Sequence, residues 1–365
     1  MDEMRACAVL ARAPGLAASH VRAAVARAGG LGELLAEDRD PQLLPRRTEA
    51  FLRAAPSSCI DRDLKWLDAT GAALIPCTSA RYPPGLTTDP AAPPALYVLG
   101  NTEALGTPQI AMVGARAATA AGIDIAQEFA RAFARLRITV TSGLAVGIDA
   151  ASHTGALAAG GRTIAVCGHG LDRVYPEQNR ALAARVREHG ALVSQYPPGT
   201  PPRPELLVRR NRLLSGLALA TLVVEADARS GSLATARHAR DQGRPVFAVP
   251  GSIRNPLAAG CHALIRSGAR LARGPNDVLE LLNISFLDQE LTTDRPRPLS
   301  PAERPALLDK ASEMLLDAVG FEPVSINTLV ERTGLPSGSI ASMLLILELR
   351  GRVAPHPGGR YVRLS

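Results

Sequence analysis

Between Thr141 and Ala269 the chain repeats one device: a short apolar run, a loop rich in Gly, Ser and Arg, then the start of a helix. The loops read TSGLAVGIDAASH (141–153), RRNRLLSGL (209–217) and EADARSGSLATARHA (225–239), and VGAR (113–116) precedes them. The runs are apolar at nearly every position rather than at alternate ones. That is the pattern of strands buried on both faces, as in a parallel sheet covered by helices on each side. Strand–helix alternation therefore predicts a doubly wound α/β sheet, with ligands at the carboxyl ends of its strands.

Seven strands are expected, at 109–114, 138–143, 162–168, 191–196, 220–226, 244–251 and 269–273, with amphipathic helices such as IDIAQEFARAFARL (123–136) between them. Residues 1–75 read as an N-terminal helical domain. The Pro-Gly between the apolar patterns of LARAPGLAASHVRAAVARAG suggests a helix pair of the SAM or helix-hairpin-helix kind, used for packing or docking. Residues 76–108 are Pro-rich and read as a connector that holds one short strand, ALYVLG (95–100). Residues 109–287 form the sheet domain and residues 288–305 a linker. Residues 306–365 read as a winged helix, built from a helix, a helix–turn–helix and a terminal hairpin. The recognition helix of that unit, Ser337 to Leu349, offers Ser rather than Arg, so protein contact suits it as well as DNA contact.

Charge is unevenly placed. Residues 106–290 carry 21 basic and 14 acidic side chains, against 11 and 12 in residues 1–105 and 9 and 8 in residues 291–365. The surplus thus lies in the domain with the Gly-rich loops. Its cations are all arginine, which can grip phosphate with two donors at once. Aromatic residues make up only 3%, so base stacking is expected to contribute little and backbone contacts to dominate. The five cysteines are scattered without a CxxC pair, which points to reduced cytosolic thiols and away from a zinc site. No apolar run is long enough for a membrane span. MDEMRACAVL lacks a basic n-region, so no signal peptide is expected and the expected location is cytoplasmic.

The loops carry the chemistry. Glycine allows close backbone approach, and a helix N-terminus offers free N–H groups, a combination that suits phosphate. Gly114 and Arg116 follow the first strand of this domain. Arg116 occupies the position of the second glycine of a dinucleotide fingerprint, and no acid ends the next strand, so NAD and FAD are disfavoured. No cofactor and no metal is expected. Ser142 and Gly143 shape the second loop, and Asp149 and His153 follow one turn apart, where a catalytic pair is conceivable but a capping or packing pair is the favoured reading. Arg209, Arg210, Asn211 and Arg212 stand before an apolar helix, where they would suit a phosphate backbone. Ser230, Gly231, Ser232 and Thr235 open another helix and make an anion site. Glu225 and Asp227 on the same rim could activate water, but positioning of arginines or helix caps is the favoured reading. The low-charge segment NPLAAGCHALI, with Leu257, Leu264 and Ile265, reads mainly as a core helix.

In order and spacing, VGAR, SGLAVGIDAASHTGAL, TIAVCGHGLDRVYPEQNRAL, RRNRLLSGL, VVEADARSGSLATARHA and VPGSIRNPLAAGCHALIRSGA resemble the DNA-processing family DprA/Smf. The resemblance runs through residues 109–270, and the terminal domains also resemble those of some members. It implies an extended Rossmann-like domain that binds single-stranded DNA. It further implies a homodimer and loading of the recombinase RecA in natural transformation, with no catalytic residue. The family's Gly-x-Arg arginine falls on Arg116 and its Arg-Asn-Arg segment on Arg210–Arg212. Two departures stand out. The family often carries Phe-Pro before that segment, where this chain reads ELLVRRNR, and its Ser-Glu-Tyr-Pro reads Ser194-Gln195-Tyr196-Pro197. The competing reading is a nucleotide-processing hydrolase of a related fold. Such enzymes carry a Gly-Gly-x-Gly-Thr loop and a downstream Glu, whereas SGSLAT (230–235) is followed by Arg237 and His238.

Overall fold

The computed structural model of the protein describes residues 2–36, 40, 42–54, 57–282, 310–320 and 322–364. The linker expected at 288–305 lies outside the described residues. The chain divides into two compact units, residues 1–286 and 287–365.

The first unit is built on a nine-stranded sheet. Its strands are β1 (Ala73–Pro76), β2 (Ala95–Gly100), β3 (Gln109–Val113), β4 (Thr139–Ser142), β5 (Thr163–Cys167), β6 (Ala191–Ser194), β7 (Ala220–Val223), β8 (Val246–Ala248) and β9 (Arg270–Leu271). They lie in the order β1-β2-β6-β5-β4-β3-β7-β8-β9. From β6 to β9 every pairing is parallel. Strand order therefore reverses between β3 and β7, which form the topological switch point of a doubly wound sheet.

The central strands β3, β7 and β8 split their side chains between two cores. On β3, Ile110 and Met112 enter the core that holds Phe129 and Phe133, while Ala111 and Val113 face the other core. Helices α1 (Glu3–Arg12), α2 (Ala18–Ala28), α3 (Leu31–Leu34), α4 (Arg46–Ala54), α5 (Ser57–Thr70) and α6 (Pro84–Thr87) precede the parallel strands. The crossovers are α7 (Ala120–Arg135), α8 (Ile148–Ala158), α9 (Arg180–His189), α10 (Pro204–Leu217), α11 (Ser232–Asp241) and α12 (Ala259–Arg266), and α13 (Pro275–Leu281) follows β9. Thr119 caps α7 by accepting from the Gly122 amide at 3.0 Å, and α7 packs closely on α8.

The reading of 76–108 as a connector needs correction, because this segment belongs to the sheet. β2 pairs antiparallel with β6, and β1 pairs antiparallel with β2. Without them β6 would be an open edge of unpaired N–H and C=O groups. Strand β1 escaped the sequence reading because ALIP is four residues long and ends in proline. Residues 1–75 likewise share a core with the sheet: Leu10, Leu34 and Ile60 belong to the same cluster as Val98 and Val166. A polar tie crosses the same seam. Arg12 donates to the buried Asp63 at 2.7 Å and to the Pro198 carbonyl at 3.3 Å.

The second unit holds α14 (Lys310–Val319), β10 (Val324–Ser325), α15 (Ile326–Thr333), α16 (Ser337–Leu349), β11 (Val353–His356) and β12 (Arg360–Arg363). Its small sheet has the order β10-β12-β11, and Leu315, Leu329, Ile340, Leu344 and Leu347 fill its core. This is the helix, helix–turn–helix and wing expected from the sequence.

Candidate nucleic-acid interface

A cleft of about 620 Å³ opens at the switch point, beyond the carboxyl ends of β3 and β7. Its floor is the turn after β3. A side chain at Gly114 would meet Ile148 at 2.6 Å and the Glu225 carbonyl at 2.8 Å, so glycine there lets α8 and the β7 turn close onto the strand. The Ala115 amide donates to the Glu225 carbonyl at 2.7 Å, and the Ile148 amide donates to the Ala115 carbonyl at 3.1 Å. These bonds hold Arg116 at the rim, exposed and without a protein partner among the described residues.

Helix α10 supplies the opposite wall. It starts at Pro204, whose fixed φ suits the first helical position. The segment Arg209–Arg212 therefore lies inside the helix, not ahead of it as the sequence suggested. Successive residues point about 100° apart, so the four side chains separate. Arg210 falls on the apolar stripe of Leu206, Leu213, Leu214 and Leu217. It is 6% exposed, reaches the cleft, and has no hydrogen bond or ion pair among the described residues. Its Nε is buried without a partner. Asn211 donates to the Gly231 carbonyl at 3.3 Å, tying α10 to the next loop. Arg209 and Arg212 face away from the cleft. Arg212 is held on the buried Asp89 at 2.6–3.1 Å through Nε and Nη2, so the expected phosphate contact at Arg212 is corrected to a structural ion pair. Arg209 is exposed and lines a different pocket.

Room for Arg210 comes from Gly143, since any side chain there would overlap its guanidinium. Asp149, the nearest acid, is buried, and its Oδ2 accepts from the Ala145 amide at 3.3 Å. Burial pushes the Asp149 carboxyl up, and the neighbouring Arg210 opposes that shift. Burial likewise draws Arg210 down, opposed by Asp149. A cation taken out of water costs free energy unless an anion meets it. Asp149 comes close enough to moderate the charge but does not bond it, so the guanidinium retains its donors for a ligand.

The third wall is the N-terminus of α11. Ser230 and Ser232 share a hydroxyl–hydroxyl bond of 2.7 Å, and the Ser232 amide points to the Ser230 hydroxyl at 3.3 Å. Gly231, Ser232 and Thr235 line the cleft beside them. Ser142 does not line it. Its buried hydroxyl donates to the Met112 carbonyl at 2.7 Å, which makes it a strut between β4 and β3. Sequence reading missed Arg203, Tyr175 and Leu207, which also line the cleft. The signal for Arg203 was available, because QYPPGTPPR leaves the carboxyl end of a strand and leads into a helix. Leu264 is buried in the core as the helix pattern implied, while Leu257 and Ile265 are half-buried.

The acidic rim residues have structural duties. Glu225 accepts from the Thr119 amide at 2.9 Å and from its hydroxyl at 2.6 Å, which occupies both carboxylate oxygens at the start of α7. Asp227 accepts from the Arg229 amide at 2.6 Å and shapes the turn. His153 does not meet Asp149. Its Nδ1 lies 2.7 Å from the Thr163 hydroxyl, whose proton goes to the Val140 carbonyl, so Nδ1 is the donor to Thr163 and Nε2 is bare. Burial, with Arg210 nearby, draws His153 down to about 3. The unfolded chain takes up this proton near the ordinary value of 6.5 while the folded one does not. His153 thus removes stability as pH falls from about 6.5 towards about 3, by up to about 1.4 kcal/mol per pH unit. Urea unfolding at stepped pH should show a shallower acid loss in His153→Leu than in the wild type. Parallel curves would rule out this origin.

Against known proteins, residues 73–283 match the family model described as DNA recombination-mediator protein A. Residues 297–359 match the DprA winged helix domain. The chain is 42% identical over 322 residues to protein Smf of Escherichia coli K12, covering 87% of this chain and 84% of that one. It is 41% identical over 198 residues to the DNA processing protein DprA of Streptococcus pneumoniae R6, covering 54% and 70%. The fold is similar to the crystal structure of DprA from Streptococcus pneumoniae, with a TM-score of 0.63 and 32% identity over 74% of this chain and 95% of that one. It is also similar to DNA processing protein A from Helicobacter pylori, solved for its single-stranded DNA binding mode, with a TM-score of 0.53 and 26% identity over 59% and 97%. With its sheet unit and winged helix both matched, this chain belongs to the DNA recombination-mediator protein A family, the DprA/Smf proteins.

Proposed function

We propose that the chain binds single-stranded DNA at the switch-point cleft, with phosphates on Arg116, on Arg210 and on the amides that open α11. The observation that carries this reading is the buried, unpartnered guanidinium of Arg210 at the cleft wall, beside an exposed Arg116 and a helix N-terminus. An elongated polyanion satisfies all three. Single strands are preferred to duplex, because a cleft between loop ends admits one flexible chain more readily than a rigid double helix. Few aromatics are at hand for stacking, so base preference is modest.

The chain acts as a carrier rather than an enzyme: it protects incoming DNA in the cytoplasm and hands it to the RecA recombinase in natural transformation and recombination. It works as a homodimer, because two linked sites raise the local concentration of each on the strand held by the other. Light scattering of the intact chain tests the dimer, and RecA assembly on oligo(dT) with and without the chain tests the hand-over. The hydrolase reading loses its support at Glu225, whose oxygens are occupied by Thr119.

The central test is salt-dependent binding of oligo(dT). Each neutralised phosphate adds about −0.7 to the slope of log affinity against log salt for single strands. Arg116→Ala should weaken all sequences similarly and flatten the slope by about that amount. A folded Arg116→Ala protein with unchanged affinity and slope would remove this arginine from the site.

A further inference from the structure

A second pocket, of about 410 Å³, lies between the N-terminal helices and the end of β6. Leu16, Phe51 and Ile60 make its apolar wall, and Gln195, Tyr196, Arg209 and the Asp63-paired Arg12 its polar one. The volume suits a planar heterocycle and excludes a folded element. Gln195 donates from Nε2 to the Tyr196 hydroxyl at 2.8 Å, which leaves its Oε1 free as an acceptor. Arg209 is exposed and carries no hydrogen bond or ion pair among the described residues. It follows Val208 and precedes Arg210, two residues that line the switch-point cleft. One helix, α10, therefore presents one cation to each pocket. The surface between the two is the exposed Val208, 51% accessible, with the exposed Glu205 one turn before it on the same helix.

We propose that this seam pocket is a second nucleotide subsite. A strand leaving the cleft crosses α10 at Val208, places a phosphate on Arg209, and inserts the attached base between the apolar N-terminal wall and Tyr196. Charge decides the occupant: the polar lining combines a free cation with a neutral amide acceptor, which suits a phosphate with an attached base and not a cationic or purely apolar group. The subsite rests on the cleft being the DNA site. It also gives the N-terminal helices a part in DNA contact despite their near-zero net charge, through the apolar wall and through Arg12, whose charge Asp63 already meets.

Cys59 provides the test. It lines the seam pocket and is half-buried, whereas the other four cysteines are buried. On the intact protein, alkylation of Cys59 by N-ethylmaleimide should slow severalfold when oligo(dT) is bound at saturation. Arg209→Ala should lose that protection while fluorescence anisotropy still reports oligo(dT) bound in the cleft. Photocrosslinking of oligo(dT) carrying 5-iododeoxyuridine should mark Tyr196. If saturated protein reacts at the free rate at Cys59, or if protection persists in Arg209→Ala, the subsite is overturned and the cleft reading stands. If wild-type protein binds no oligo(dT), the cleft reading fails and the subsite falls with it.

Discussion

Replacing Arg210 by methionine is expected to weaken oligo(dT) binding by about tenfold to a hundredfold while the protein still folds. The side chain is buried, has no hydrogen bond among the described residues and leaves its Nε without a partner, so an arriving anion finds donors that no protein group occupies. A charge-assisted bond is worth about 1.5–3 kcal/mol, and each 1.4 kcal/mol is about tenfold in affinity. Methionine keeps an unbranched stem in the channel that Gly143 leaves open, which limits the cavity. The stability readout separates a ligand-directed cation from a structural one. In an Asp149→Asn background no carboxylate among the described residues remains as a charge partner of the position. There Arg210→Met should be neutral or stabilising by about 1–4 kcal/mol, as for other buried charges replaced by apolar groups. Isothermal titration with oligo(dT) and urea unfolding measure the two effects. Unchanged affinity, or a large loss of stability in the Asp149→Asn background, would show that the arginine serves the fold.

Gly147→Ala should cost about 3 kcal/mol or more and weaken DNA binding as well. Gly147 sits at φ 77°, ψ −127°, a region that side-chain-bearing residues reach only at about 1–3 kcal/mol of strain. An added Cβ would also overlap the backbone oxygens of Ala115 and Arg116. Those oxygens cannot retreat easily, because the Ile148 amide bonds the Ala115 carbonyl and the Ala115 amide bonds Glu225. The clash therefore moves the turn that carries Arg116. Gly160→Ala is the control. Its φ is 68° with nothing within 4 Å of the added carbon, so it should lose only about 1 kcal/mol. Equal losses at the two positions would mean that the strain is all conformational and that the cleft turn is not rigid.

Much of this site was legible in the chain, because its parts are local. Gly114, Gly143, Gly231 and the helix starts lie where strand, loop and helix follow one another, and each is specified by neighbours a few residues away. Arg210 was legible in a finer sense. Its spacing of three, four and seven residues from Leu213, Leu214 and Leu217 marks the buried side of a helix. The reading took the segment 209–212 as a cluster because it placed the helix start too late; Pro204 was the signal for the earlier start.

Other features depended on partners far along the chain. Nothing near Arg212 indicates that Asp89 will take it, and nothing near Glu225 indicates that Thr119 will. These pairs span 123 and 106 residues. Arg116 and Arg210 share a cleft only because β7 pairs with β3 instead of adding beyond β6. Likewise β1 and β2 join the sheet only because β6 presents a free edge. By itself the sequence determined most of the strands and helices and which turns can approach a phosphate, since apolar period, glycine and proline act over a few residues. The tertiary structure alone decided which arginines keep unoccupied donors, because a guanidinium is free or engaged according to the acids that strand order brings within hydrogen-bond distance.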